Sequence, residues 1–289
     1  MFAISIWVGW ILLTRYGVTT TLSPYDICAL RFACAGILLA PVIYRQGWGI
    51  CKVGLAKWLV IVSCAGVPYV LIASSGLQFA PAAHAGALVP GTMPLWAALL
   101  AMFFLKEKIA GVRKFGLMLI PFGIFILVGA GLTDFASGNW RGHLLFLAAA
   151  MTWASFTVAM RFAGQSGFTP LQAAAVVSVV SALVFLPVYA LLLPHRIMEA
   201  PLAVIVSQTI FQGVLVSIVS LFAYARAVSI LGASLGSSFA SLVPVLAMLT
   251  AIPLLGEWPQ PSDYIGIAAI TFGVFLSSGA YQVFRNKSA

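Results

Sequence analysis

Apolar residues occupy this chain in ten long blocks, at about 2–20, 25–44, 56–78, 83–105, 112–131, 142–162, 169–193, 202–228, 234–255 and 262–283. Charges, Pro or Gly separate them, and each approaches the roughly 20 apolar residues that carry a helix across a bilayer. The connections are short, and none is long or polar enough to form a soluble domain. The pattern predicts an all-α polytopic membrane protein with ten transmembrane helices.

One phrase occurs twice. PLWAALLAMFFLKEK fills 94–108 and PVLAMLTAIPLLGEW fills 244–258. A shift of 150 aligns Gly86 with Gly236, Pro94 with Pro244, Glu107 with Glu257, Gly116 with Gly266 and Gly123 with Gly273. Earlier in the chain a shift of 146 aligns Trp7 with Trp153, Arg15 with Arg161, Pro24 with Pro170 and Pro41 with Pro187. The chain therefore reads as two tandem halves, 1–131 and 142–283, of five helices each. An odd number of crossings makes the second half start on the opposite side, so the repeats are inverted. Matched glycines in the fifth and tenth helices predict that these two meet near the pseudo-two-fold axis, where small residues allow close approach.

Charge fixes the expected orientation. With both termini cytoplasmic, eleven of the fifteen Lys and Arg fall on the cytoplasmic side, as positive residues do in membrane proteins. LKEKIAGVRK is then a cytoplasmic loop that keeps its cations, and LGEWPQPSD is its outward-facing counterpart that lacks them. Composition agrees: 62% of residues are hydrophobic and only 7% charged, against about 25% charged in soluble domains. The net charge of +9 forms no basic patch interleaved with aromatics, so nucleic acid is not an expected partner. The first block, MFAISIWVGW, has no basic leader and reads as a retained helix. Cys28, Cys34, Cys51 and Cys64 lack metal-site spacing and read as small apolar fillers. No metal or cofactor is expected.

These residues carry a resemblance. Small residues followed by P…ALLAMFFLKEK and then GLMLIPFGIFILVG resemble the EamA-type transporters of the drug/metabolite transporter superfamily, in both halves. The stretch HAGALVPGTMPLW is similar to the aromatic amino acid exporter branch. The resemblance implies ten helices in a plasma (inner) membrane, cytoplasmic termini, alternating access and a central cavity lined by helices 1, 3, 4, 6, 8 and 9. It implies an amino acid as the small-molecule partner and leaves the oligomeric state open.

The residues themselves bound the solute. All six acidic residues fall at helix ends or in loops, which points away from cationic drugs and from obligatory proton exchange. Arg31 lies close to one end of the second block, where snorkelling is expected. A neutral or zwitterionic substrate fits best. In VPGTMP, Pro90 and Pro94 free the carbonyls of Gly86 and Pro90, and Gly91 loosens the turn between them. Pro244 does the same in the ninth block. Such kinks either line a cavity or shape packing. Ser234, Ser237, Ser238 and Ser241 share one helical face, which is either wet or closely packed. His84 is the titratable candidate for a substrate's polar end, the alternative being a satisfied structural histidine. Trp7, Trp10, Trp153 and Phe156 form symmetry-related pairs that could sandwich an apolar side chain, with Trp96 and Tyr224 extending the wall. Gln78, Gln208 and Gln212 need hydrogen-bond partners if buried. Clusters that would support an enzyme are missing from the sequence, and no repeated ring suggests a channel filter. The expected function is export of neutral or zwitterionic metabolites, foremost aromatic or large apolar amino acids. Efflux of other neutral metabolites or drugs is the alternative.

Overall fold

A computed structural model describes residues 1–106, 109, 111–133, 138–231 and 239–279. Among them, regular structure is helical throughout. The first half contains α1 (Phe2–Thr20), α2 (Pro24–Gln46), a short α3 (Ile50–Val53), α4 (Leu55–Ala65), α5 (Val67–Phe79), α6 (Ala82–Leu105) and α7 (Gly111–Thr133). The second contains α8 (Asn139–Gly164), α9 (Pro170–Leu192), α10 (Leu202–Gln208), a π-helical stretch (Thr209–Val219), α11 (Ser220–Leu231), a 3-10 turn (Phe239–Leu242), α12 (Val243–Leu255) and α13 (Pro261–Ser277). Eight helical stretches are long and apolar enough to cross a membrane, α4–α5 and α10–α11 each counting as one; Phe239–Leu255 and Pro261–Ser277 are shorter apolar helices. Large apolar side chains such as Ile37, Phe103, Phe125 and Leu191 point outward, as they do where the solvent is lipid.

The repeat is visible in how helices start. Ser23 caps α2: its Oγ accepts from the Asp26 N–H, and Asp26 Oδ2 accepts from the Ser23 N–H at 2.7 Å. In the other half Thr169 Oγ1 accepts from the Gln172 N–H, and each cap is followed by Pro in the first turn. The third helical residue then reaches into the opposite half. Asp26 Oδ1 accepts from the Tyr189 hydroxyl at 2.6 Å and from the Arg196 N–H at 3.2 Å. Gln172 Nε2 donates to the Gln46 and Gly47 carbonyls at 2.8 and 3.0 Å. Both side chains are fully buried. These contacts run α2 and α9 antiparallel. They cross where a Cβ on Gly36 would stand 2.8 Å from Cβ of Ala182, its own repeat mate.

α7 and α13 form the second such crossing. A Cβ on Gly123 would lie 2.7 Å from the Gly266 carbonyl oxygen, and one on Gly116 2.8 Å from the Gly273 oxygen. The expected meeting of the fifth and tenth helices is therefore found, antiparallel and backbone to backbone. Gly123→Val is expected to force these helices apart and lower stability by about 1–3 kcal/mol, the range for overpacking a tight core. Thermal unfolding of purified protein in detergent measures this, and an unchanged transition would show the crossing to be loose.

One span has a break that the sequence pattern did not single out. α6 runs unbroken through Pro90 and Pro94. The third span is instead divided at Gly66, between α4 and α5, with Pro68 opening the second piece. A Cβ at Gly66 would stand 2.3 Å from the Val62 carbonyl oxygen, so only glycine fits this break. In the other half the eighth span holds the π-helical stretch Thr209–Val219 at the equivalent depth. π segments are rare and concentrate at functional sites.

Candidate functional site

Directly after the Gly66 break, α5 presents Tyr69, which is 5% exposed. Its ring stacks against Trp10 of α1 at 6.1 Å and tilts against Trp153 of α8 at 4.7 Å. Trp153 continues to Phe156 at 5.2 Å, and Trp7 meets Tyr224 of α11 at 5.2 Å. The aromatic residues expected from the repeat are thus brought together across α1, α8 and α11. The tryptophans do not face an open gap, because Tyr69 fills the space between them. The sequence reading missed Tyr69; the phrase AGVPY at 65–69, a Gly-Pro break preceding an aromatic, was its signal.

Polar side chains line α1 on the side of the π stretch. Gln208 Nε2 donates to the Leu13 carbonyl at 2.6 Å, and Gln212 Nε2 donates to Thr14 Oγ1 at 2.9 Å. The irregular helix is therefore tied to α1 a few residues beyond Trp10. Gln212 Oε1 is buried and has no hydrogen-bond partner. Gln78, by contrast, is exposed and lines a shallow pocket of about 250 Å³ with Tyr25, Ser75 and Arg196, away from the ladder. Trp96 makes no ring contact among the described residues, and its buried indole N–H is unpartnered.

One end of the bundle is closed by a charged network. Arg15 Nε, near the end of α1, donates to Glu257 Oε1 at 2.6 Å, and its Nη1 donates to the Leu77 carbonyl at the end of α5. Glu257 Oε2 accepts from the Ala82 N–H at 2.7 Å, one of the free donors of the α6 N-terminus. Two residues on, His84 Nδ1 lies 2.8 Å from His143 Nε2 of α8. His84 Nε2 is 3.1 Å from Asp263 Oδ1, off the straight line of a hydrogen bond. With Asp263 ionised, a proton on His84 Nε2 faces the carboxylate, and His143 Nε2–H then donates to His84 Nδ1. Asp263 Oδ2 also accepts from the Gln260 N–H at 2.8 Å, which starts α13.

The contacts of the His84 ring are with His143 and Asp263, in this network. Asp26 and Asp263 stand at helix starts, as expected, and both are buried.

The glycines of the proline phrase are closely packed. A Cβ on Gly86 would stand 2.5 Å from the Ala247 Cβ, and one on Gly91 2.4 Å from Ile270 Cγ2 and 3.7 Å from Pro244 Cγ. Pro90 and Pro94 sit on the same α6, whose small residues let α12 and α13 approach. Pro244 is buried in the first turn of α12, where a missing N–H costs little. Ser237 and Ser238 lie outside the described residues.

Comparison with known proteins agrees with this architecture. The model of the EamA-like transporter family matches residues 1–129 and again 140–279. The Bacillus subtilis protein named uncharacterized transporter YetK is 24% identical over 253 residues, 86% of this chain and 76% of the relative. Another from that organism, named uncharacterized transporter YyaM, is 26% identical and covers 90% and 86%. A probable terminal-alkyne amino-acid exporter of Streptantibioticus cattleyicolor is 26% identical over 209 residues, 72% of this chain and 68% of its own. A solved crystal structure shares the fold with a TM-score of 0.63 at 22% identity, covering 95% of this chain and 94% of that one. With the family pattern matched once in each half, the chain belongs to the EamA-like transporter family and is a multi-pass membrane transporter.

Proposed function

We propose that this transporter exports neutral or zwitterionic metabolites, foremost amino acids with aromatic or large apolar side chains, by alternating access. One observation carries the reading: Trp10, Tyr69 and Trp153 meet at the interruption of the third span. Broken helices at membrane depth are tolerated where they line a cavity, and transporters build their sites there. Rotation of Tyr69 out of the stack would open a slot between two indole faces suited to a flat apolar side chain. The relative named as a probable amino-acid exporter points the same way.

In this reading both termini are cytoplasmic, the chain sits in the plasma (inner) membrane, and the Arg15–Glu257 network closes the outer end. The repeat register equates Arg15 with Arg161 and Glu257 with Glu107. The same two charges therefore recur for the cytoplasmic end, Glu107 itself lying outside the described residues. A carrier needs two closures used in turn, and an inverted repeat supplies them from one design.

A competition panel tests the substrate class. Protein reconstituted in liposomes is assayed for labelled phenylalanine flux against excess tryptophan, leucine, alanine, lysine, glutamate and a neutral aromatic drug. Strong inhibition by tryptophan and leucine with little by lysine or glutamate is expected. Inhibition by the drug alone would favour efflux of other neutral compounds.

A further inference from the structure

Arg31 lies eight residues into α2 and is 7% exposed, so it turns into the bundle and does not reach for headgroups as its position in the sequence suggested. It is the one buried Lys or Arg among the described residues. Its Nε is buried without a hydrogen-bond partner, and no carboxylate pairs with the guanidinium among those residues. The guanidinium carbon stands 5.9 Å from the Phe32 ring centre, and the Tyr69 hydroxyl and Cys28 thiol are within electrostatic reach. The carboxylate nearest in sequence, Asp26, is already engaged by Ser23, Tyr189 and the Arg196 N–H. A guanidinium keeps its charge in proteins. Inside a membrane such a charge is costly unless paired, and an unpaired one marks a ligand path.

We propose that Arg31 is the receptor for the substrate's carboxylate, holding it beside the Trp10–Tyr69–Trp153 ladder. This rests on the amino acid reading and deepens it, because it names the group that is recognised. The planar fork of the guanidinium matches a carboxylate with two parallel hydrogen bonds. A single buried cation suits a monoanion better than a phosphate dianion. Since Arg31 faces the bundle interior, a free solute reaches it where a lipid headgroup does not. The apolar part of the solute then meets the Tyr69 ring.

Isothermal titration of the purified protein in detergent tests this with three probes of one shape: phenylalanine, 3-phenylpropionate, which lacks the amine, and phenethylamine, which lacks the carboxylate. The unmodified protein is expected to bind the first two and not the third. Arg31→Gln is expected to weaken both carboxylates by roughly ten- to hundredfold, the loss of a charge-assisted hydrogen bond. Arg31→Lys, with charge but no fork, should fall between. If Arg31→Gln does not fold, the lysine variant and the panel on unmodified protein decide. Phenethylamine binding as well as phenylalanine, binding of neither carboxylate, or phenylalanine affinity unchanged in Arg31→Gln or Arg31→Lys overturns the assignment. Unchanged affinity in a variant leaves amino acid transport standing, whereas binding of 3-phenylpropionate without phenylalanine keeps Arg31 as receptor and removes the amino acid reading.

Discussion

Reversing either charge of the Arg15–Glu257 pair is expected to abolish most transport, and reversing both is expected to restore part of it. Glu257 joins three elements through two oxygens, accepting from Arg15 at 2.6 Å and from the Ala82 N–H at 2.7 Å. Arg15 adds the Leu77 carbonyl. Both side chains are 17% exposed, sheltered enough that the pair is worth more than a surface bridge. A charge-assisted hydrogen bond in such a setting contributes about 1.5–3 kcal/mol, so its loss shifts the closed-to-open balance at this end by roughly ten- to hundredfold. Arg15→Glu or Glu257→Arg alone places like charges face to face and should cut flux by at least that factor. The double reversal re-forms the pair but leaves the Ala82 N–H facing a cation and the Leu77 carbonyl facing an anion. Recovery should therefore be incomplete. Flux in liposomes checks this: full activity in either single variant would show that the pair takes no part in the cycle.

Loss of the central ring is expected to have the largest effect on stability and selectivity together. Tyr69→Ala removes a buried aromatic from between two tryptophans, and large-to-small changes of this kind cost about 3–5 kcal/mol. Tyr69→Phe keeps the ring and should retain most of that stability. Trp153→Ala leaves Tyr69 packed on Trp10 and removes one wall. Aromatic contact contributes about 0.5–1.5 kcal/mol beyond area burial, so aromatic substrates should weaken by that much more than alanine or threonine. Thermal unfolding of the Tyr69 variants and competition constants for the Trp153 variant measure the two effects. Equal weakening of every solute by Trp153→Ala would reduce the tryptophans to scaffold.

Much of the fold was legible because lipid simplifies the code. Apolar length marked the spans, and the two shifted registers marked the halves, since residues such as Gly116 and Gly273 must keep their size where backbones touch. The symmetric aromatics were legible for the same reason. The break in the third span was passed over. Pro94 is accommodated within α6, whereas the third span breaks at Gly66, where the nearby Val62 carbonyl leaves no room for a side chain. The π stretch had no signal in the residue pattern, since apolar side chains look alike at either helical pitch. Buried charge was misread for a related reason. Sequence position does not tell which face turns inward, so Arg31 read as a snorkelling residue and the burial of Asp263 was not foreseen. Asp263 is held beside His84, far away in the chain.

The proposed cycle carries an amino acid through a site that opens to one side at a time. Counterflow tests it most directly. Liposomes containing the protein are loaded with unlabelled phenylalanine and diluted into buffer holding a trace of labelled phenylalanine. A two-sided carrier predicts transient accumulation of label above the outside concentration, driven by outflow of the unlabelled pool, and no accumulation in liposomes lacking protein. Label that only equilibrates, with no overshoot at any time, or uptake no different from protein-free liposomes, would contradict the account.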